Sequence, residues 1–209
     1  MSLILALAVA TIIILIRMAQ KEKPKESPKP VLVKRYIHPG HTWLKLTQDG
    51  DVLVGVDDFG QSVIGSIDEV QLPRVLCRLQ QGAVGWTVRH GSRVVPMRSP
   101  VTGRVIEKNE MVLNNPSLIN TSPYGDGWLL RVRPSRVSAQ MGNLFTGRVA
   151  TRWQDAERVD LSRFFSGTPA LMYQEGGVLL TNLADRCSDD EWDKIAEHFF
   201  QVETIEQKQ

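Results

Sequence analysis

The side chains able to do chemistry are few in this sequence, and their spacing excludes most of the chemistry they suggest. His38 and His41 stand three positions apart, near enough for two imidazoles to meet one zinc ion, yet no third ligand is evident at ligand spacing. Asp57 and Asp58 are adjacent carboxylates, but neighbours on a strand point to opposite faces, so they read as a charged edge or turn rather than an acid–base pair. Cys77 and Cys187 are far apart and outside any Cys-x-x-Cys or Cys/His pattern, which argues against a zinc site or a disulfide framework and for a reducing compartment. No nucleophile elbow, P-loop, GxGxxG or HExxH pattern occurs. The expectation is a chain that is not an enzyme, with no catalytic residue, no metal and no cofactor.

The most suggestive cluster is Arg89-His90-Gly91-Ser92-Arg93, in which Gly91 and Ser92 suit a tight turn between cations. Arg89, His90 and Arg93 are candidate partner-binding residues, because guanidinium groups pair bidentately with carboxylates. The competing reading is a solvated loop.

Elements able to position these residues follow from the hydrophobic pattern. The 209 residues, 42% of them hydrophobic, suffice for one buried core with appendages. A net charge of +2 with no concentrated basic face argues against nucleic acid as a partner. From Leu3 to Ile16 the run LILALAVATIIILI is a membrane-helix candidate, short of the ~20 residues of a full span. Residues 1–20 are therefore expected to be a transmembrane anchor. A cleaved signal peptide is the alternative, although no basic residue precedes the run. The basic residues from Arg17 to Arg35 all follow it, which places the globular part on the cytoplasmic side of the inner membrane, in a single-pass arrangement. KEKPKESPKP (21–30) reads as an extended linker whose lysines signal topology or meet anionic headgroups.

Residues 31–135 alternate short β-branched runs with Gly, Pro, Asn and Asp, predicting a mostly β domain with strands near 42–47, 51–56, 85–89, 93–97, 103–106 and 127–132. Gln48-Asp49-Gly50-Asp51 supplies a hairpin turn. Trp43, Trp86 and Trp128 are expected in packing roles.

Within this region His41-Thr-Trp43, Val54-Gly-Val-Asp-Asp-Phe59, Ile64-Gly-Ser-Ile67, Leu72-Pro73, Ser99-Pro-Val-Thr-Gly-Arg-Val105, Asn115-Pro-Ser-Leu-Ile-Asn120 and Pro123-Tyr-Gly-Asp-Gly-Trp-Leu129 occur in order. Together they resemble the H-protein family of glycine cleavage, within the lipoyl/biotinyl-domain superfamily. The resemblance implies a flattened lipoyl-domain barrel or sandwich hybrid of two antiparallel sheets. It also implies a lipoyl lysine at a hairpin tip about seven residues before Ser-Pro-Val. Counting back from Ser99 places Ser92 there, whereas counting forward from Gly85 places Gly91 there. Neither is lysine, and no lysine lies between Lys45 and Lys108, so amide attachment of lipoate at this hairpin has no amine to use.

Residues 136–209 form an α-rich C-terminal extension. Helical segments are expected over 137–165 with a break near Gly147, then a short hairpin with strands at 170–173 and 178–181. Ser188-Asp-Asp-Glu191 is a capping box opening an amphipathic helix to about Val202. Its apolar stripe either packs on the β domain or offers Trp192, Phe199 and Phe200 as anchors for another subunit.

The functional expectation is a non-catalytic, non-lipoylated, membrane-anchored accessory subunit. It would dock as a scaffold onto a larger membrane complex, a respiratory or photosynthetic assembly being the natural host. The alternative is a regulator or adaptor of lipoate-dependent, glycine-cleavage-type enzymes. In both readings the partners are protein subunits.

Overall fold

The structure, a computed structural model, describes residues 34–164 and 182–201. Val33–Gln209 forms one compact unit and Met1–Leu32 a separate one. The expected anchor and linker, and the hairpin expected over 170–181, lie outside the described residues. Among the described residues no helix is long and apolar enough to cross a membrane.

Among the described residues ten strands form two sheets: β1 (Arg35–His38), β2 (Thr42–Leu46), β3 (Val52–Val56), β4 (Glu69–Gln71), β5 (Arg78–Leu79), β6 (Val84–His90), β7 (Arg93–Arg98), β8 (Gly103–Lys108), β9 (Leu130–Pro134) and β10 (Phe145–Thr146). The larger sheet runs β10-β1-β2-β3-β9-β8-β5 and the smaller β4-β6-β7, every pairing antiparallel. The two antiparallel sheets are those expected, but among the described residues no ladder joins them, so the barrel is not closed: there β4 pairs with β6 alone and β5 with β8 alone.

The pleat explains the sandwich. Leu44, Val52, Val54, Val56, Val105, Leu130 and Val132 project from one face of the large sheet and are fully buried with Val88, Val95 and Met97 of the small one. The β2–β3 hairpin closes at the expected turn, where Gly50 takes φ +84°. Gly55 is needed for a different reason: a Cβ there would meet the Trp43 indole at 2.8 Å, and that indole donates to the Val56 carbonyl at 2.9 Å.

Among the described residues six α-helices accompany the strands: α1 (Asp58–Ile64), α2 (Glu110–Asn114), α3 (Leu118–Thr121), α4 (Val137–Gln140), α5 (Gly147–Phe164) and α6 (Asp189–Phe200). The sequence reading missed α1 and misjudged Asp57 and Asp58. Asp57 is a fully buried N-cap whose carboxylate accepts from Gly60 N at 2.7 Å, and Asp58 opens the helix. The strand expected from 127 begins only at Leu130, because Gly125 and Gly127 both donate to the Ser122 carbonyl in a tight turn. Trp43 and Trp86 are core residues as expected, and Trp128 packs half-buried on the cluster around Trp43.

The C-terminal extension is continuous with the core. β10 pairs with β1, α5 lays Trp153 and Ala150 against Trp43 and Ile37, and α6 buries Trp192, Ile195, Ala196, Phe199 and Phe200 in the same cluster as Phe59 and Val88. Its capping box forms as expected, Ser188 Oγ accepting from Glu191 N and Glu191 accepting from Ser188 N.

Candidate functional site

The hairpin joining β6 to β7 is the region with distinctive chemistry, and its backbone follows from two residues. His90 and Arg93 are paired across the strands, leaving Gly91 and Ser92 as a two-residue turn. Gly91 takes φ +57°, the positive value that two-residue hairpins require at their first central position. Its amide donates to Asp68 Oδ2 at 2.6 Å, which ties the tip to the segment preceding β4. Gly91 and Ser92 are exposed, and neither carries a primary amine.

The flanking residues face opposite sides. Arg89 points to the outer face and pairs with Glu69 on the neighbouring strand. His90 and Arg93 point to the opposite face, where Asp185, Cys187 and Asp189 meet them. His90 Nε2 lies 2.6 Å from Asp185 Oδ1 and Nδ1 lies 2.5 Å from the Ser66 carbonyl. Burial alone would lower the His90 pKa, but the Ser66 carbonyl and the Asp185 carboxylate outweigh it and hold the group above its ordinary value. Arg93 donates to the Cys187 carbonyl at 2.6 Å and to Asp189 Oδ1 at 3.3 Å, with its guanidinium 5.1 Å from the Trp192 ring centre.

At the far end of β7, Arg98 donates to the Gly82 carbonyl at 2.8 Å and to the Gln201 carbonyl. The first and last residues of one strand thus hold both ends of α6, and the cation at Gln201 complements the negative pole of that helix.

These contacts settle where each sequence-identified residue sits. Trp192, Phe199 and Phe200 are 5%, 1% and 1% exposed, so the stripe packs on its own chain, and these side chains are already enclosed rather than presented outward. Arg93 is spent on α6 and Arg89 on Glu69, leaving Gly91 and Ser92 as the exposed tip. Ser66, Arg98 and Asp185 were not identified from sequence. Only the spacing of apolar residues could have suggested a helix lying over β7, and that gives no register.

His38 and His41 do not converge on a shared ligand. His38 Nδ1 accepts from Gly40 N at 2.9 Å, and burial, with help from Arg98 and His41, lowers its pKa to about 4. His41, at φ +55° and fully buried, lies with Nδ1 3.2 Å from Asp57 Oδ2 and its ring between Phe59 and Trp153, 4.4 and 4.9 Å away. Gln154 of α5 donates to Asp57 Oδ2 at 3.2 Å and to Asp58 Oδ1 at 2.9 Å, while the Tyr124 hydroxyl donates to the same Asp58 oxygen at 2.5 Å. Arg158 adds a 3.0 Å bond to Asp58 Oδ2. This network joins α5 to the β scaffold, and burial together with the neighbouring carboxylates raises the Tyr124 pKa. Cys77 is exposed and Cys187 buried, both as free thiols.

Comparison with known proteins places this geometry. The glycine cleavage H-protein family model matches residues 34–155. The glycine cleavage system H protein of Mycolicibacterium vanbaalenii is 38% identical over 102 residues, which cover 49% of this chain and 78% of that one. The H protein of Magnetococcus marinus is 36% identical over 118 residues, covering 56% and 83%. A crystal structure of the H protein from Mycobacterium marinum superposes with a TM-score of 0.52 at 28% identity, over 59% of this chain and 95% of that one. These relatives are named for the glycine cleavage system, and that overturns the expectation of a scaffold subunit of a respiratory or photosynthetic membrane complex. The motifs from His41 to Leu129 are thus the scaffold of a common ancestry, and the chain belongs to the glycine cleavage H-protein family.

Proposed function

We propose that this chain is a non-carrier member of its family, an adaptor or regulator that engages lipoate-dependent, glycine-cleavage-type enzymes without bearing lipoate itself. One observation carries the reading. The hairpin tip where the family resemblance calls for a lipoyl lysine is Gly91-Ser92, and the sequence holds no lysine between Lys45 and Lys108. Lipoylation joins a lysine amine to a carboxyl group as an amide, and no other side chain in that interval supplies such an amine. The extension adds support: residues 182–189 bond to His90 and Arg93 on the inner side of the hairpin, so the segment next to the tip is fixed rather than free to swing. Protein partners therefore meet a rigid surface. The apolar run from Leu3 to Ile16 and the cations after it support a membrane tether with the globular part on the cytoplasmic side.

The test is a glycine cleavage system reconstituted with its own lipoylated H protein. Adding this chain is expected to change the steady-state rate in a saturable way, while its own intact mass gains no lipoyl group in the presence of a lipoate-attaching enzyme. A lipoyl mass on the native chain, or an unchanged rate with no binding to any component, would overturn the proposal.

A further inference from the structure

The outer face of the large sheet carries an arrangement that fold stability disfavours. Arg78 pairs with Arg104 and Arg104 with Arg133, so three arginines lie directly opposite one another across β5, β8 and β9. Cross-strand partners project to the same face, and like charges directly opposite destabilise a sheet. All three are exposed. Arg133 shares the buried Asp51, at 3.3 Å, whereas Arg78 and Arg104 have no ion pair among the described residues. At a strand spacing of about 4.8 Å, the outer two of the row stand about 10 Å apart.

The solvent face of α6 carries the complement. Asp190, Asp193 and Glu197 are exposed at positions i, i+3 and i+7, on one side of the helix, and have no ion pair among the described residues. At about 1.5 Å per residue the first and last of them are about 10.5 Å apart. The stripe therefore matches the arginine row in number and length and is opposite to it in sign. Lys194 is the one cation on the same face.

We propose that the arginine row of Arg78, Arg104 and Arg133 receives the Asp190–Asp193–Glu197 face of a second copy of this chain. Each copy presents both surfaces, so the contact is head-to-tail and propagates into short chains of molecules or closes into a ring. Its strength comes from exposed charges, which makes it weak and strongly salt-dependent: screening shortens the reach of such charges from about 10 Å at 0.1 M salt to about 3 Å at 1 M.

Sedimentation velocity of the full chain in mild detergent tests the contact. At low salt the sedimentation coefficient is expected to rise with protein concentration, and the rise is lost at about 1 M salt. R104E alone and D193R alone each abolish the rise, and the double variant R104E/D193R recovers it. Both positions are exposed, so unchanged circular dichroism keeps the comparison clean. A wild-type chain that shows no concentration dependence at low salt, single variants that associate as wild type does, or a double variant that fails to recover would each overturn the proposal.

Discussion

His90 and Asp185 lie 95 positions apart in the chain and 2.6 Å apart in space, and the other nitrogen of the same ring faces the Ser66 carbonyl at 2.5 Å. A carbonyl oxygen and a carboxylate only accept, so a ring that satisfies both must donate from both nitrogens and be an imidazolium. The raised pKa agrees with that geometry, with Asp68 adding a further negative charge nearby. A histidine whose pKa is higher folded than unfolded contributes stability in full below about pH 6.5, and that contribution fades as pH climbs through the raised folded value. Amide exchange across residues 182–200, corrected for intrinsic rates, is therefore expected to show less protection at pH 9 than at pH 6. H90Q should remove most of the difference. Equal pH dependence in H90Q and wild type would locate the sensitivity elsewhere.

Phe199→Ala tests whether α6 belongs to the core. Phe199 is 1% exposed and packs on Phe59 and Phe164 with ring centres 5.5 and 5.6 Å away. Truncating such a ring costs about 3–5 kcal/mol, a large part of the ~5–15 kcal/mol that stabilises a typical domain. Urea unfolding should show that loss across the whole transition, because the apolar cluster is shared with β6, β7 and α1. A shift below about 1 kcal/mol would mean that the helix docks loosely.

Ser188→Ala should cost less, about 1 kcal/mol, because it removes one cap acceptor from the first turn of α6 and leaves the apolar stripe intact. Glu191 keeps a lowered pKa through its bonds to Ser188, of which the substitution removes only the one to the hydroxyl. The difference in denaturation midpoint between S188A and wild type, at equal m-value, measures it.

What the sequence could reveal follows the range of each interaction. The capping box at Ser188, the Gly50 turn and the β6–β7 hairpin depend on neighbours within a few residues, and these are the features legible in advance. The family resemblance supplied the scaffold between His41 and Leu129 and its two antiparallel sheets, but not that the described strands leave the barrel unclosed. Asp57 was misjudged because adjacent acids look alike whether they edge a strand or cap a helix; the difference lies in the buried contacts of His41 and Gln154, the latter 97 positions away. The partners of His90 and Arg93 depend on how α6 aligns with β7. That register follows from packing of the whole core, and the amphipathic pattern of one helix does not encode it.

Arg104→Glu is expected to stabilise the fold. The native residue sits between Arg78 and Arg133, and the substitution turns two like-charge neighbours into two opposite-charge pairs. At about 0.2–1 kcal/mol per cross-strand pair, thermal unfolding should move upward measurably at low salt and by less at high salt. An unchanged or lower midpoint would mean that the row is already relieved by solvent.

Ser92→Lys reads the hairpin tip directly. A Cβ at position 91 would meet nothing within 4 Å, but Gly91 holds φ +57°, where an L-residue is strained. Ser92 is exposed and is not among the residues with positive φ, so a lysine there fits the turn with a stability change within about 0.5 kcal/mol. The new amine would stand in solvent at the apex of a two-residue turn, the placement that the family resemblance associates with the lipoyl lysine. Incubation of S92K with a lipoate-attaching enzyme, ATP and lipoic acid is expected to add the mass of one lipoyl group, while the native chain stays unmodified. A folded S92K that remains unmodified would show that the missing amine is only part of the barrier, and would direct attention to the contacts of Asp185 and Cys187 beside the tip.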